Sequence, residues 1–227
     1  MRKLTPIESY QLERRLQMLG SEDFYGREVL EVGVFKGDHL KLVAQKKPDA
    51  LFGVADSDQD FDSAQRELEG LEVSLGKIKG KLLPFPRQSF HSVFSVTFFQ
   101  YITDKKRFEK LFEEACRASD NQLIIIELTE ESKESMNGVI ARTVKEYTRL
   151  AKKNEFKLIR IEYINAAISL KFSNFISQTF GDNNRPSDTS IQLQKLSLPF
   201  TKILDSFFPE NRHLTKMVFE REKEELY

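Results

Sequence analysis

The chain has 227 residues, enough for one sizeable domain or for one domain with a cap. Its 35 lysines and arginines balance 35 aspartates and glutamates, so no global basic field favours nucleic acid, and no long basic run is present. The single cysteine, Cys116, excludes an internal disulfide, no apolar run reaches membrane-spanning length, and the N-terminus lacks a signal-peptide core, so a soluble, cytoplasmic protein is expected.

In chain order, the first expected element is a helix opened by Thr5-Pro6-Ile7-Glu8. Thr5 can cap it, Pro6 suits the first helical position, and Glu8 completes a capping box. Ile7, Leu12, Leu16 and Leu19 give it an apolar stripe, and Gly20 can end it. Strands are expected near 28–32, 51–55, 73–78, 92–96 and 122–128, and helices near 37–45, 60–69, 104–118 and 138–153. Such alternation predicts an α/β fold with a mostly parallel sheet and helices on both faces. Phe156 to Ile164 reads as a sixth strand and His213 to Glu220 as a seventh. Residues 165–212 are too long for a plain turn. Two apolar groups, around Phe172–Phe180 and Leu193–Phe208, flank a turn-rich linker, which predicts an inserted helical cap. The expected organisation is one domain over 1–227, with an N-terminal helical segment over 1–27 and the cap over 165–212.

The most informative stretch is Val29-Leu30-Glu31-Val32-Gly33-Val34-Phe35-Lys36-Gly37-Asp38. It reads as a buried strand, a glycine turn and a helix start. An acid at a strand end beside such a turn suits a cationic or hydroxyl-rich small molecule better than a phosphate, and the P-loop Gly-Lys-Ser/Thr is absent. About twenty residues on, Leu51-Phe52-Gly53-Val54-Ala55-Asp56-Ser57 is a second apolar strand ending in an acid, where a ribose hydroxyl would be held. Then come Leu83-Pro84-Phe85-Pro86 and the apolar strand Leu123-Ile124-Ile125-Ile126.

With these four motifs in order, the chain resembles a class I S-adenosylmethionine-dependent methyltransferase of the small-molecule type, with a Leu-Pro-Phe-Pro signature before the fourth strand. The resemblance covers about residues 28–128. It implies a Rossmann-like seven-stranded sheet whose last two strands form an antiparallel edge hairpin. It also implies the cofactor S-adenosylmethionine, contacted by Glu31, Gly33, Val34, Phe35, Gly37, Asp56 and Ser57. Glu31 would face the amino-acid end of the cofactor, with a strand-end carboxylate bound to backbone amides as the alternative. Gly33 would allow its close approach. Phe35 stands where a third glycine is commoner, and Ala55 stands where the ribose acid is usual, so Asp56 would have to serve from one residue on, with Asp58 behind it. Lys77 to Leu82 offers adenine no acid, leaving backbone groups and apolar walls such as Ile78 or Leu82.

In the loop after the fourth strand, Phe98, Gln100 and Tyr101 are the candidates facing the acceptor, Gln100 and Tyr101 as hydrogen-bonding groups; core and rim packing is the alternative. No catalytic residue is identified. The three histidines are scattered and no metal site is expected. The Asn-Pro-Pro-Tyr motif of nucleic-acid amino-methylating enzymes is absent. The resemblance therefore implies methyl transfer to a small, partly apolar molecule, with no nucleic-acid or membrane partner and with a homodimer as one possible assembly. A non-catalytic binding module, or a partner subunit of another methyltransferase, stands as the alternative.

Overall fold

The structure is a computed structural model, and it describes residues 4–130, 134–136, 138–165, 191–199 and 212–222. The helix α1 (Pro6–Gly20) begins as its sequence demands. The Thr5 hydroxyl accepts the Glu8 N–H at 3.3 Å, and the Glu8 carboxylate accepts the Thr5 N–H at 2.8 Å, which satisfies two end donors at once.

The core alternates β1 (Glu28–Val32), α2 (Asp38–Ala44), β2 (Ala50–Ala55), α3 (Asp58–Glu67), β3 (Ser74–Lys77), β4 (Phe90–Val96), α4 (Lys105–Ala118) and β5 (Ser119–Glu130). A short hairpin, β6 (Glu134–Met136) and β7 (Val139–Ala141), precedes α5 (Val144–Lys153), β8 (Phe156–Asn165) and β9 (Arg212–Arg221). The sheet has seven strands in the order β3-β2-β1-β4-β5-β9-β8. Strands β1 to β5 pair in parallel, and β9 inserts antiparallel between β5 and β8. This is the expected seven-stranded Rossmann-like arrangement with its edge hairpin. One expectation fails locally: the helix drawn from 138 starts six residues later, because residues 139–141 pair as a strand and Thr143 caps the helix by accepting the Glu146 N–H at 3.0 Å. The cap expected over 165–212 falls mostly outside the described residues. Within it, residues 191–199 are helical, and the Gln194 side chain accepts the Ile7 N–H at the start of α1 at 3.5 Å.

Continuous apolar runs work here because both faces of the sheet are covered. On β5, Leu123 and Ile125 join a cluster with Phe108, Leu111, Phe112, Tyr147 and Leu150 of α4 and α5. Ile124 and Ile126 point the other way, into a cluster with Met18, Leu19, Leu40 and Val43 of α1 and α2. Cys116 is buried on the inner face of α4, the core role its position suggests. Among the described residues no helix is long and apolar enough to cross a membrane.

Strand order reverses between β1 and β4, which opens a crevice at the carboxyl ends of the strands. Every sequence candidate for a site lies at that edge.

Candidate functional site

The turn after β1 is built by two left-handed glycines, Gly33 at φ +88° and Gly37 at φ +84°. Gly37 caps α2, and a Cβ there would lie 2.8 Å from the Leu68 side chain. Gly33 has a different neighbour from the expected one. A Cβ on it would lie 2.0 Å from Cγ of Phe98, so the space made by the missing side chain is filled by a phenyl ring. Phe98 is only 3 % exposed and belongs to the main core cluster with Leu30, Val32, Val54, Ile78 and Leu83. In this structure the missing side chain of Gly33 makes room for Phe98.

Glu31 is buried at the end of β1, but its partner is a side chain and no backbone amide. One carboxylate oxygen lies 3.0 Å from Nδ1 of His39, eight residues on in α2. The other oxygen has no partner, and neither has His39 Nε2. Val34 turns into the core, where its methyl group would meet a Cβ on Gly53 at 2.7 Å, so only its backbone faces the turn. Phe35 is half-buried and meets Tyr101 edge to face at 5.9 Å.

Asp56 follows β2 at the same edge. Its carboxylate is bonded to the guanidinium of Arg107, from the first turn of α4, and Arg107 Nε also donates to the Gly80 carbonyl at 3.3 Å. Ser57 is the N-cap of α3, accepting the Asp60 N–H at 3.1 Å, which accounts for its hydroxyl. Asp58 is exposed and paired with Lys77, which holds its carboxyl below the usual range. Ile78 is buried, whereas Leu82 is 52 % exposed and makes no wall. The Leu-Pro-Phe-Pro stretch is a core anchor. Leu83 is buried with its N–H on Glu114 at 3.0 Å, and Phe85 packs on Phe52 and Phe90.

The loop after β4 is held rigidly by residues that the sequence did not single out. Glu127, at the end of β5, is fully buried and accepts the N–H groups of Phe99 at 2.7 Å and Gln100 at 3.2 Å. Burial pushes its carboxyl up to about 8, against the pull of those two amides and of Arg142. Arg142 donates to the carbonyls of Phe99 at 2.8 Å and Ile102 at 2.6 Å and stacks 3.7 Å over the Phe108 ring. The loop's donors therefore rest on a carboxyl and its acceptors on a guanidinium. Its first residue, Thr97, sits at φ +52°, an uncommon conformation for a β-branched side chain and one that clusters at functional sites. Gln100 is corrected from acceptor-facing to structural: it is buried, and its side-chain oxygen accepts the Leu128 N–H at 3.2 Å. Tyr101 stays on the rim, 53 % exposed.

Between α1, the glycine turn and this loop lies a cavity of about 350 Å³. Arg15, Phe35, Asp38, His39, Thr97 and Tyr101 are among its walls, while Gly33 and Asp56 are not. Arg15 donates to the Thr97 hydroxyl at 3.3 Å, and burial lowers the guanidinium pKa against the attraction of Tyr101, Asp38, Glu127 and Glu8. Gln11 Nε2, Arg15 Nε, Glu31 Oε2 and His39 Nε2 are all shielded from solvent without a hydrogen-bond partner. Gln11, Arg15 and His39 are walls of the cavity and Glu31 joins them through His39, and unpaired buried polar groups such as these are costly and few.

S-Adenosylmethionine can be tested against this arrangement in halves. At its amino-acid end, a carboxylate would find the donors of Gln11 and Arg15 in the cavity wall, while Glu31 is not in that wall and lies behind His39. Its nucleoside end meets Phe98 over Gly33 and an Asp56 that Arg107 already holds.

No protein-family model matches the chain, and no curated protein resembles it in sequence. Solved structures do share its fold. One is a putative sarcosine dimethylglycine methyltransferase from Galdieria sulphuraria, 14 % identical over 94 % of this chain and 84 % of that one, with a TM-score of 0.63. Another is a geranyl diphosphate methyltransferase solved with SAM, 12 % identical over 94 % and 85 %, TM-score 0.64. A third is the [4+2]-cyclase SpnF, 12 % identical over 92 % and 80 %, TM-score 0.63. At such identities the likeness concerns the fold, and the third structure carries a different reaction on it. The chain has the Rossmann-like fold of class I methyltransferases.

Proposed function

We propose that this chain is an S-adenosylmethionine-dependent methyltransferase acting on a small, partly apolar molecule. The observation that carries the reading is the cavity at the carboxyl edge beside Gly37, whose walls include His39, Arg15 and Gln11, each with an unpaired polar atom, and Glu31 bonded behind His39. The structural relatives include methyltransferases, one of them solved with SAM, which supports the same reading by fold.

When bound, the cofactor supplies a methyl group on a sulfonium leaving group, so the protein's work is mainly alignment. Arg15 would hold the carboxylate of the cofactor's amino-acid end, with Glu31 acting from behind His39, and Phe35 and Tyr101 would form the apolar wall and rim toward the acceptor. The mixed charges around the cavity (Glu8, Arg15, Lys36, Asp38) suit a small zwitterionic or neutral guest better than a nucleic-acid strand.

A second reading has its own support. Phe98 on Gly33 and the Arg107–Asp56 pair would suit a binding module that keeps the fold without the chemistry. Calorimetric titration with S-adenosylmethionine, followed by an assay for S-adenosylhomocysteine release in the presence of a small-molecule extract, separates the two. Saturable binding with acceptor-dependent release supports the enzyme. Binding without release supports the module, and no heat at millimolar cofactor removes the methyltransferase reading.

A further inference from the structure

We infer that Arg107 is a latch that keeps the nucleoside half of the crevice closed and sets how tightly any nucleoside-bearing ligand is held. The inference rests on the S-adenosylmethionine reading of the site and adds its regulation.

The geometry begins with strand order. β2, β1 and β4 are adjacent, and α4 follows β4. Arg107, in the first turn of α4, therefore has to reach past the carboxyl end of β1 to bond Asp56 after β2. Its Nε ties the same side chain to the Gly80 carbonyl beyond β3. One guanidinium thus bridges the switch point where ligands of open α/β sheets bind. At the same edge, the Phe98 ring covers Gly33 from the core.

Ribose hydroxyls are weak competitors for Asp56. A carboxylate bonded to a guanidinium holds a charge-assisted partner, and a neutral hydroxyl offers less. Desolvation does not lock the pair permanently, since the Arg107 and Asp56 side chains are 30 % and 28 % exposed. The pair is accessible to water and can open. A ligand that binds only the open form has its affinity reduced by the fraction of molecules that are open. The cavity on the other side, bordered by Arg15, Thr97 and Tyr101, does not include Asp56 and stays open in the latched state.

The two halves can be probed separately. Titrate the wild-type chain and Arg107→Ala with S-adenosylhomocysteine, with adenosine and with methionine. The latch predicts that Arg107→Ala binds S-adenosylhomocysteine and adenosine roughly tenfold or more tighter than wild type, as expected when a closed state dominates. Methionine affinity stays unchanged in both proteins. A thermal melt of the variant checks folding, and Arg107 is partly exposed, so its alanine variant is expected to fold. Equal, measurable affinity of wild type and Arg107→Ala for S-adenosylhomocysteine overturns the latch and leaves the cofactor reading standing. Weaker binding by Arg107→Ala overturns it too, by making the guanidinium a ligand contact. Failure of every protein to bind S-adenosylhomocysteine or adenosine removes the latch and the cofactor reading together.

Discussion

A methyl group at position 33 has no room. It would lie 2.0 Å from Cγ and 2.4 Å from Cβ of Phe98, and the backbone there is held at φ +88°. Two costs follow for Gly33→Ala. The left-handed conformation costs an L-residue roughly 1–2 kcal/mol. Overpacking against a buried ring costs about 1–3 kcal/mol more, because Phe98 cannot move into solvent without losing its own core contacts. The sum is about 2–5 kcal/mol. For a chain of 227 residues, each kcal/mol shifts the melting temperature by ~2–4 °C, so a drop on the order of 10 °C is expected. The assay is urea and thermal unfolding of four proteins: wild type, Gly33→Ala, Phe98→Ala and the double variant. Phe98→Ala alone should cost about 3–5 kcal/mol as a buried large-to-small change. In its background Gly33→Ala should cost only the backbone strain, leaving a coupling of about 1–3 kcal/mol between the two sites. If Gly33→Ala melts within about 2 °C of wild type without ligand, or costs the same in both backgrounds, the glycine does not serve Phe98 and the ligand-approach explanation returns.

Two further predictions concern groups beside the site. The Glu127 carboxyl is pushed up to about 8 from an ordinary 4.5, so the folded chain holds a proton there that the unfolded chain has lost. That contribution is full below about pH 4.5 and fades as pH rises toward about 8, so wild type should lose stability relative to Glu127→Gln over that window in urea unfolding, and parallel pH curves would exclude a raised Glu127. Cys116 is buried and its thiol is pushed up by desolvation, so a disulfide reagent should label it only at the rate of unfolding; fast labelling of the folded chain would contradict its core position.

Much of the sheet was legible because buried parallel strands read as unbroken apolar runs, and Leu123 to Ile126 bury alternate side chains on two covered faces. The first helix was legible from Thr5, Pro6 and Glu8, which act locally. The start of α5 was misplaced because the pairing of residues 139–141 with the preceding strand depends on neighbours in space. The site was less legible for the same reason. Asp56 meets Arg107 across 51 positions, and Glu127 meets the Phe99 and Gln100 amides across 28 and 27. No local pattern announces such partners. Glu31 and His39 are closer, eight apart, but strand, turn and helix must all form before the carboxylate and imidazole meet. Gln100 was misread because its amide side chain is equally suited to an acceptor and to the Leu128 backbone, and only the burial of the loop decides between them.

The most direct measurement is an amide-resolved NMR titration of the wild-type chain with S-adenosylhomocysteine. Binding at the carboxyl edge predicts saturable shifts at Glu31 to His39, at Asp56 and Ser57, and at Thr97 to Tyr101, with the distal β8–β9 edge unmoved. Shifts confined to other surfaces, or none at millimolar ligand, would contradict a cofactor site in this crevice.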